Sequence, residues 1–403
     1  MRILAIQPVL RGFTIDPLAG GKDVAAVQLA RTLVEEGHEV FVLPWHGERY
    51  LGRFRVLLSA EGRYATALPT GHFPVNVGLW RFIKRCLTGR GLPLHPVRRV
   101  SAAAERLAFS KGAALMRALR DVQPDLVHVH YTHSDFAPVF RRLGCRTPLV
   151  LTHHSWGLAE TLADYDHVVF VSRHQQEHAC RAHAGLRGRC RLIRYCVGGE
   201  FQRAGAVGPL RRVIFVGHVT EDKGAHLLVD AYAREPALNR WEAAVVGDGA
   251  LKDPLERRAR EQGLNIRFTG RLGAQRIADL MAEGGALVVP SRKESFGVAY
   301  AEALCMGLPI IGYPPTVREL SELLGMEVGL PFDAEAGDAE ELAGLIEQVM
   351  EPEGAYEPAA RKEMRARARQ AFRVERFNTE YLAFYKEVIG AAGRPVRSQE
   401  GGA

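Results

Sequence analysis

In the stretch SRKESFGVAYAEALCMGLPIIGY, residues 291–313, two carboxylates, Glu294 and Glu302, stand in a mostly apolar run with seven residues between them. A carboxylate in such surroundings is costly to bury unless something binds it. ALVVPS reads as a buried strand, RKESFG as the loop at its carboxyl end, and VAYAEALCMG as a helix closing at Gly307. A helix that starts after Phe296-Gly297 has free backbone N–H groups there, a natural anion site. Gly297 also lets a ligand approach the main chain closely. Glu302 falls about 1.5 turns into that helix, where its oxygens can accept hydrogen bonds from a vicinal diol such as a ribose. Glu294, at the loop tip, can do the same for a hexose. Taken alone, Glu302 is more simply an exposed helix glutamate.

A second constellation lies in VIFVGHVTEDKGAHLLVDAY, residues 213–232. It reads as strand, glycine turn, then Lys223-Gly224 opening a helix, an arrangement that suits phosphate. A lone surface lysine in a βα loop is the plainer alternative. VVGDGA, residues 245–250, is a further glycine turn after a strand. Lys252 stands where a dinucleotide fingerprint needs its third glycine, so this turn does not predict NAD binding. In the first half, LAGGKDVAAVQLA places Gly20 and Gly21 just before a long helix, where their amides can touch a diphosphate. LVLTHHSW places His153 and His154 at a strand's carboxyl end. Lone histidines are more often structural, but a pair at the ligand-binding edge of a sheet points toward chemistry.

The elements that must position these residues alternate along the chain. RILAIQPV, EVFVLPW, DLVHVHY, PLVLTHH, HVVFVS and RLIRY read as strands of the first half, and VAAVQLARTLVEEGH as an amphipathic helix ending at Gly37. The pattern restarts with RRVIFVG, EAAVVGDG, IRFTG, ALVVPS, PIIGY and EVGLPF. Alternating strands and helices imply parallel sheets covered on both faces. GGEFQRAGAVGP, residues 198–209, reads as a linker. The expectation is α/β: two doubly wound, Rossmann-like domains facing a cleft, with ligands at the carboxyl ends of the strands. Residues 64–100 are expected to be inserted loops around a short basic-aromatic helix, LWRFIKRCL. That helix suits a membrane face, the acceptor side of the cleft, or ordinary packing with snorkelling arginines. Residues 393–403 read as a loose tail.

Composition bounds these readings. The 403 residues are more than one core usually serves. Hydrophobic content of 47% and charged content of 25% are ordinary for a globular chain. Six scattered cysteines form no C-x-x-C pair and suggest reduced thiols, hence a cytoplasmic setting. The short apolar N-terminal stretch before Arg11 reads as a first strand rather than a signal peptide. No apolar run is long enough for a membrane span. The net charge of +7 is uneven: residues 49–120 hold 14 Lys and Arg against Glu61 and Glu105 alone. A solvated basic face, an anionic partner and a membrane surface all fit that excess. No nucleic-acid motif accompanies it.

GGKD, THHSW, VGHVTEDKG, VVGDG and above all PSRKESFGVAYAEALCMGLPII together resemble glycosyltransferase family 4, retaining nucleotide-sugar transferases of the GT-B fold. The resemblance runs from residue 1 to about 390. It implies an acceptor-side Rossmann-like domain over 1–200, a nucleotide-sugar-binding one over 201–375, and a helix at 376–392 crossing back. It implies that Glu302 binds the nucleotide ribose and Glu294 a donor sugar hydroxyl. Lys223 and the amides near Phe296 and Gly297 would hold the diphosphate, Gly20 and Gly21 would close on it, and Gly247 would lie against the donor. His154 matches the family histidine that contacts the sugar near the reacting centre. His154, Lys223 and Glu294 are thus the expected catalytic residues. The nucleotide-diphosphate sugar enters as substrate, with no cofactor; no Asp-x-Asp metal site is read, so none is expected.

Two departures stand out. The family usually has arginine where this chain has His218, so His218 is expected to bind the donor in its place at the diphosphate beside Lys223, with Arg292 or Lys293 as substitutes. IPNGVD is replaced by IRYCVGGE, which suggests an unusual donor or acceptor. The acceptor is expected to be anionic or membrane-associated, with the protein peripheral at the inner membrane face. Rival readings are a GT-B nucleotide-sugar epimerase or phosphorylase, and a non-catalytic nucleotide-sugar-binding protein.

Overall fold

The structure, a computed structural model, describes residues 1–7, 21–44, 54–57, 64–67, 115–130, 136–156, 160–202, 207–351 and 354–393. Those residues form two sheets. The first has eight strands: β1 (Arg2–Gln7), β2 (Glu39–Pro44), β3 (Phe54–Leu57), β4 (Tyr64–Ala67), β5 (Leu126–Val129), β6 (Leu149–His153), β7 (His167–Phe170) and β8 (Cys190–Leu192). Their order is β3-β4-β2-β1-β5-β6-β7-β8. β1 runs parallel to β2 and β5, β4 runs parallel to β2, β6 lies parallel between β5 and β7, and the outer β3 is antiparallel to β4. The second sheet has six strands: β9 (Arg212–Val216), β10 (Glu242–Val246), β11 (Ile266–Gly270), β12 (Ala286–Val289), β13 (Ile310–Gly312) and β14 (Gly329–Pro331). Their order is β11-β10-β9-β12-β13-β14, with parallel pairing throughout.

The strands are near-continuous apolar runs because helices cover both faces. Leu126 to Val129 and Ala286 to Val289 are buried along their whole length. Leu4, Ile6, Val127, Val129, Leu149 and Leu151 meet Phe136 and Phe140 in the core of the first sheet. Each such side chain contributes about 1.5–3 kcal/mol relative to exposure.

The chain divides into two compact units. One comprises Met1–Phe170, Ala179–Arg191 and Glu380–Ala403, the other Val171–His178 and Leu192–Thr379. Within the first, residues 380–391 of the last helix, Val374–Ala391, are held to the sheet by a buried polar network. The Tyr385 hydroxyl lies 2.5 Å from His128 Nδ1, and Thr152 Oγ1 bonds His128 Nε2 at 2.7 Å and the Tyr381 hydroxyl at 3.0 Å.

The strands expected from sequence are present, mostly shortened by a residue or two. β3 and β4 are additions: both are four residues long, and β4 falls inside the stretch expected to be loops. LWRFIKRCL and the tail beyond Gly393 lie outside the described residues. Among the described residues, no helix is long and apolar enough to cross a membrane.

Candidate functional site

In the second sheet β9 sits between β10, which follows it in sequence, and β12, reached by a crossover. The order therefore reverses between β9 and β12, and open α/β sheets bind ligands outside the carboxyl ends of strands at such a point. The loop after β9 carries His218 and Lys223, and the loop after β12 carries Glu294, Phe296 and Gly297. Lys223 Nζ donates to Glu294 Oε1, and Ser291 Oγ donates to the same oxygen at 3.1 Å. The two side chains keep 29% and 12% of their surface exposed, so the ion pair is partly withdrawn from water. The main chain of Arg292 ties the two loops, donating its N–H to the carbonyl of Asp222 at 2.9 Å. Arg292 and Lys293 are themselves exposed, as is His218.

The helix Val298–Met306 begins at Gly297, whose φ of 73° is left-handed. A Cβ there would sit 2.4 Å from Cδ2 of Tyr300, so both conformation and space select glycine. The first N–H groups of this helix have no partner within the helix. Phe296 is buried, with its ring edge-to-face against Tyr195 at 5.3 Å and Phe372 at 5.9 Å. Only its main chain can meet a ligand. Glu302 stays partly accessible, yet its carboxyl is densely surrounded, and burial together with the charge of Glu200 pushes it up to about 8. Near neutral pH it holds its proton in the absence of a ligand.

Gly247 has a φ of 142°, and a Cβ on it would lie 1.8 Å from the carbonyl oxygen of Gly217. Its N–H already donates to the carbonyl of Gly270 at 2.8 Å. Its place is the close approach of the loops after β9 and β10, and its amide is committed to the scaffold.

Behind Glu294 lies a group that the sequence did not single out. Glu319, in the helix Pro314–Leu324, is 7% exposed. Its carboxylate accepts from the N–H of Arg173 at 2.8 and 2.9 Å, from the N–H of His174 at 3.1 Å and from His174 Nδ1 at 2.8 Å. Arg194 adds Nε and Nη2 at 3.0 and 2.8 Å. Burial alone would raise this carboxyl, but the hydrogen bonds from His174 and Arg173 and the charge of Arg194 outweigh it and bring it to about 2. His174 Nε2 reaches the carbonyl oxygen of Glu294 at 2.9 Å. VSRHQQEH carries no motif that announces this, because the partners lie about 120 and 145 positions away.

The first unit holds His154, just after β6, 9% exposed. His130 stacks on it with ring centroids 5.8 Å apart and lies 4.0 Å from His128. Burial brings His130 down to about 3, and burial with the neighbouring His130 and His154 holds His128 well below the usual range, so both rings are neutral. Gly21 opens the helix Gly21–Glu35, and Gly20 lies outside the described residues. The chain does contain an Asp-x-Asp triplet, Asp164-Tyr165-Asp166, which the sequence reading passed over. Asp166 pairs with Arg141 at 2.7 Å and accepts from the N–H of Leu149 at 2.8 Å, so its carboxylate serves the fold. Among the described residues no cluster of three or more His, Cys, Asp or Glu is arranged to hold a metal.

Residues 19–197 match the family described as Glycosyltransferase Family 4, and residues 200–371 match Glycosyl transferases group 1. The chain is similar to an uncharacterized glycosyltransferase of Methanocaldococcus jannaschii, 23% identical over 238 residues, which are 51% of this chain and 60% of that protein. The chain thus spans about three fifths of that relative's length, and the matches to two further curated relatives span 22% and 35% of theirs. Among solved structures it is similar to sucrose-phosphate synthase from Thermosynechococcus elongatus, with a TM-score of 0.71, 19% identity, and coverage of 97% and 99% of the two chains. It is also similar to Anabaena HepE in complex with UDP and glucose, with a TM-score of 0.65, 18% identity, and coverage of 96% and 100%. Both likenesses show the fold, two parallel-sheet α/β domains of the GT-B type. With the two family matches lying end to end over most of its length, the chain belongs to the family 4 glycosyltransferases.

Proposed function

We propose that the protein is a retaining glycosyltransferase that moves a sugar from a nucleoside-diphosphate sugar to an acceptor hydroxyl without a metal ion. The observation that carries this reading is the gathering of Lys223, Glu294 and the start of the helix Val298–Met306 around one topological switch point. In the transfer, the bond from sugar C1 to the diphosphate breaks with its electron pair on the leaving phosphate. The acceptor oxygen bonds to C1, and its proton passes to the departing diphosphate oxygen. Negative charge grows on the diphosphate, where Lys223 and the helix-start amides offset it. Glu294 orients the sugar and Glu302 takes the ribose diol. His154, Gly20 and Gly21 are assigned to the donor by resemblance alone. Gly247 supports the loop rather than offering its amide. Retention of configuration is the expectation that the resemblance carries, and the UDP and glucose bound to HepE support the class of donor. An anionic or membrane-associated acceptor, met at the cytoplasmic face, is inferred from the basic stretch 49–120.

A thermal-shift screen against UDP, GDP, ADP and their sugars tests the reading, because a true donor stabilises the fold by mass action. One nucleotide family should stand out, and its sugar should be transferred or hydrolysed with the anomeric configuration kept. No stabilisation by any member, or an inverted product, overturns it.

A further inference from the structure

His174 sits between two acceptors. A carboxylate oxygen of Glu319 lies 2.8 Å from Nδ1, and the carbonyl oxygen of Glu294 lies 2.9 Å from Nε2. Neither acceptor has a proton to give at neutral pH: a main-chain carbonyl only accepts, and Glu319 is ionised far below neutrality. A neutral ring would donate from one nitrogen and turn the lone pair of the other toward oxygen. Both bonds form together only when both nitrogens carry hydrogen, which is the imidazolium. Ser172 Oγ lies near Nε2 as well, but at 3.4 Å it is the more distant neighbour. The other groups around the ring balance its charge. Arg194 and the main chain of Arg173 share Glu319, the Arg173 guanidinium is turned to Glu322 at 2.8 Å, and Tyr313 offers a ring edge with centroids 6.1 Å apart. His174 is only 14% exposed and Glu319 only 7%, so the charged pair is shielded from solvent and held in one geometry.

We propose that His174 is a positioning residue for sugar transfer: as an imidazolium anchored by Glu319, it fixes the main chain at Glu294 and so the aim of that carboxylate and of the helix start three residues on. This rests on the donor reading given above. The helix Arg173–Ala182 and the helix Pro314–Leu324 thereby act on the reacting sugar without touching it. Glu294 is held at two places, its carboxylate by Lys223 and Ser291 and its carbonyl by His174. A side chain fixed only at its tip can swing with its loop; one whose main chain is also tied cannot. A loss of aim of ~1 Å at a reacting centre costs on the order of 10²-fold in rate.

The test has two independent arms. In the first, the ring nitrogens of the full-length wild-type protein are read by nitrogen NMR at neutral pH, with His174→Gln assigning the signal. The expected result is a ring with hydrogen on both nitrogens, as the two acceptors require. A ring that carries hydrogen on one nitrogen only overturns the proposal whether or not the variant folds. In the second, release of nucleoside diphosphate is measured with UDP-glucose, GDP-mannose or ADP-glucose, whichever stabilises the protein most, for wild type, His174→Gln and Glu294→Ala. His174→Gln should lower kcat by roughly 10- to 100-fold with KM changed by less than about threefold. If Glu294→Ala also leaves release intact, the donor reading itself is wrong. If Glu294→Ala abolishes release while His174→Gln keeps wild-type kcat, only the positioning role falls.

Discussion

Lys223 and Glu294, 71 positions apart in the chain, are bonded to each other across the mouth of β9 and β12. The two residues assigned to the donor's phosphate and sugar neutralise one another before any donor arrives. Their coupling is measurable as a double-mutant cycle. Lys223→Ala leaves the shielded carboxylate of Glu294 with the Ser291 hydroxyl but without its cation, and Glu294→Ala strands the ammonium. The double variant should therefore be less destabilised than the two singles combined, with a coupling of about 0.5–3 kcal/mol in urea unfolding. Strict additivity would mean that the pair is open to water and energetically idle. In activity, Lys223→Ala should lower kcat/KM by ~10²- to 10³-fold.

Glu302 gives a prediction in pH. Its carboxyl is raised in the folded protein from the ordinary 4.5 to about 8 by burial and by Glu200. The folded state thus holds this proton more tightly than the unfolded chain does. The associated stability is fully present below pH 4.5 and is lost as pH rises through about 8. Glu302→Gln has no proton to lose, so without ligand it should melt above wild type at alkaline pH and close to it at acid pH. The gain should be about 2–4 °C for each kcal/mol relieved. Above about pH 8, where the wild-type carboxyl is ionised, the same variant should bind the donor more weakly, since the diol loses an anionic acceptor. Parallel melting curves across pH would show that Glu302 is solvated.

Two glycines make a matched pair. Gly247→Ala places a methyl 1.8 Å from the carbonyl of Gly217 at a φ of 142° and should cost roughly 2–4 kcal/mol or abolish soluble expression. Gly344 lies exposed in the helix Ala339–Met350, and a methyl group added to it would meet nothing within 4 Å. Gly344→Ala should therefore stabilise by about 0.5–1 kcal/mol. Equal effects at the two sites would contradict the geometry.

The basic stretch is tested apart from the donor site. Reversal of Arg81, Lys84 and Arg85 to Glu should impair acceptor use or sedimentation with anionic liposomes and leave nucleotide affinity unchanged. Wild-type behaviour in both assays would make the stretch a solvated face.

Much of this molecule was legible in its sequence for a physical reason: parallel strands buried on both faces are short apolar runs, and the loops at their ends carry the polar residues. ALVVPS followed by RKESFG announced both β12 and the loop at its carboxyl end. Glu302 could be placed on its helix from spacing alone, but its retained proton depends on Glu200, about a hundred positions away, and on packing that no spacing encodes. Phe296 was legible as a helix-start residue, while its ring's burial against Tyr195 and Phe372 was not. β3 and β4 escaped because four-residue strands barely exceed the length at which alternation can be seen. His174 and Glu319 escaped for the reason that hides most supporting shells: each is ordinary in its own segment and acquires a task only from a distant partner.

The network of His128, Thr152, Tyr381 and Tyr385 bears on how the chain is made. Strands β5 and β6 of the first unit emerge early in synthesis, yet the hydroxyls that satisfy His128 and Thr152 arrive from Tyr385 and Tyr381, 257 and 229 positions further along the chain. Until then the first unit holds a buried imidazole without its partner and an uncovered apolar strip where Phe384, Val388 and Ile389 belong. The usual order, in which the amino-terminal domain matures first on the ribosome, cannot run to completion here. Synthesis of residues 381 to 389, rather than growth of the first half, sets the moment when that half becomes native.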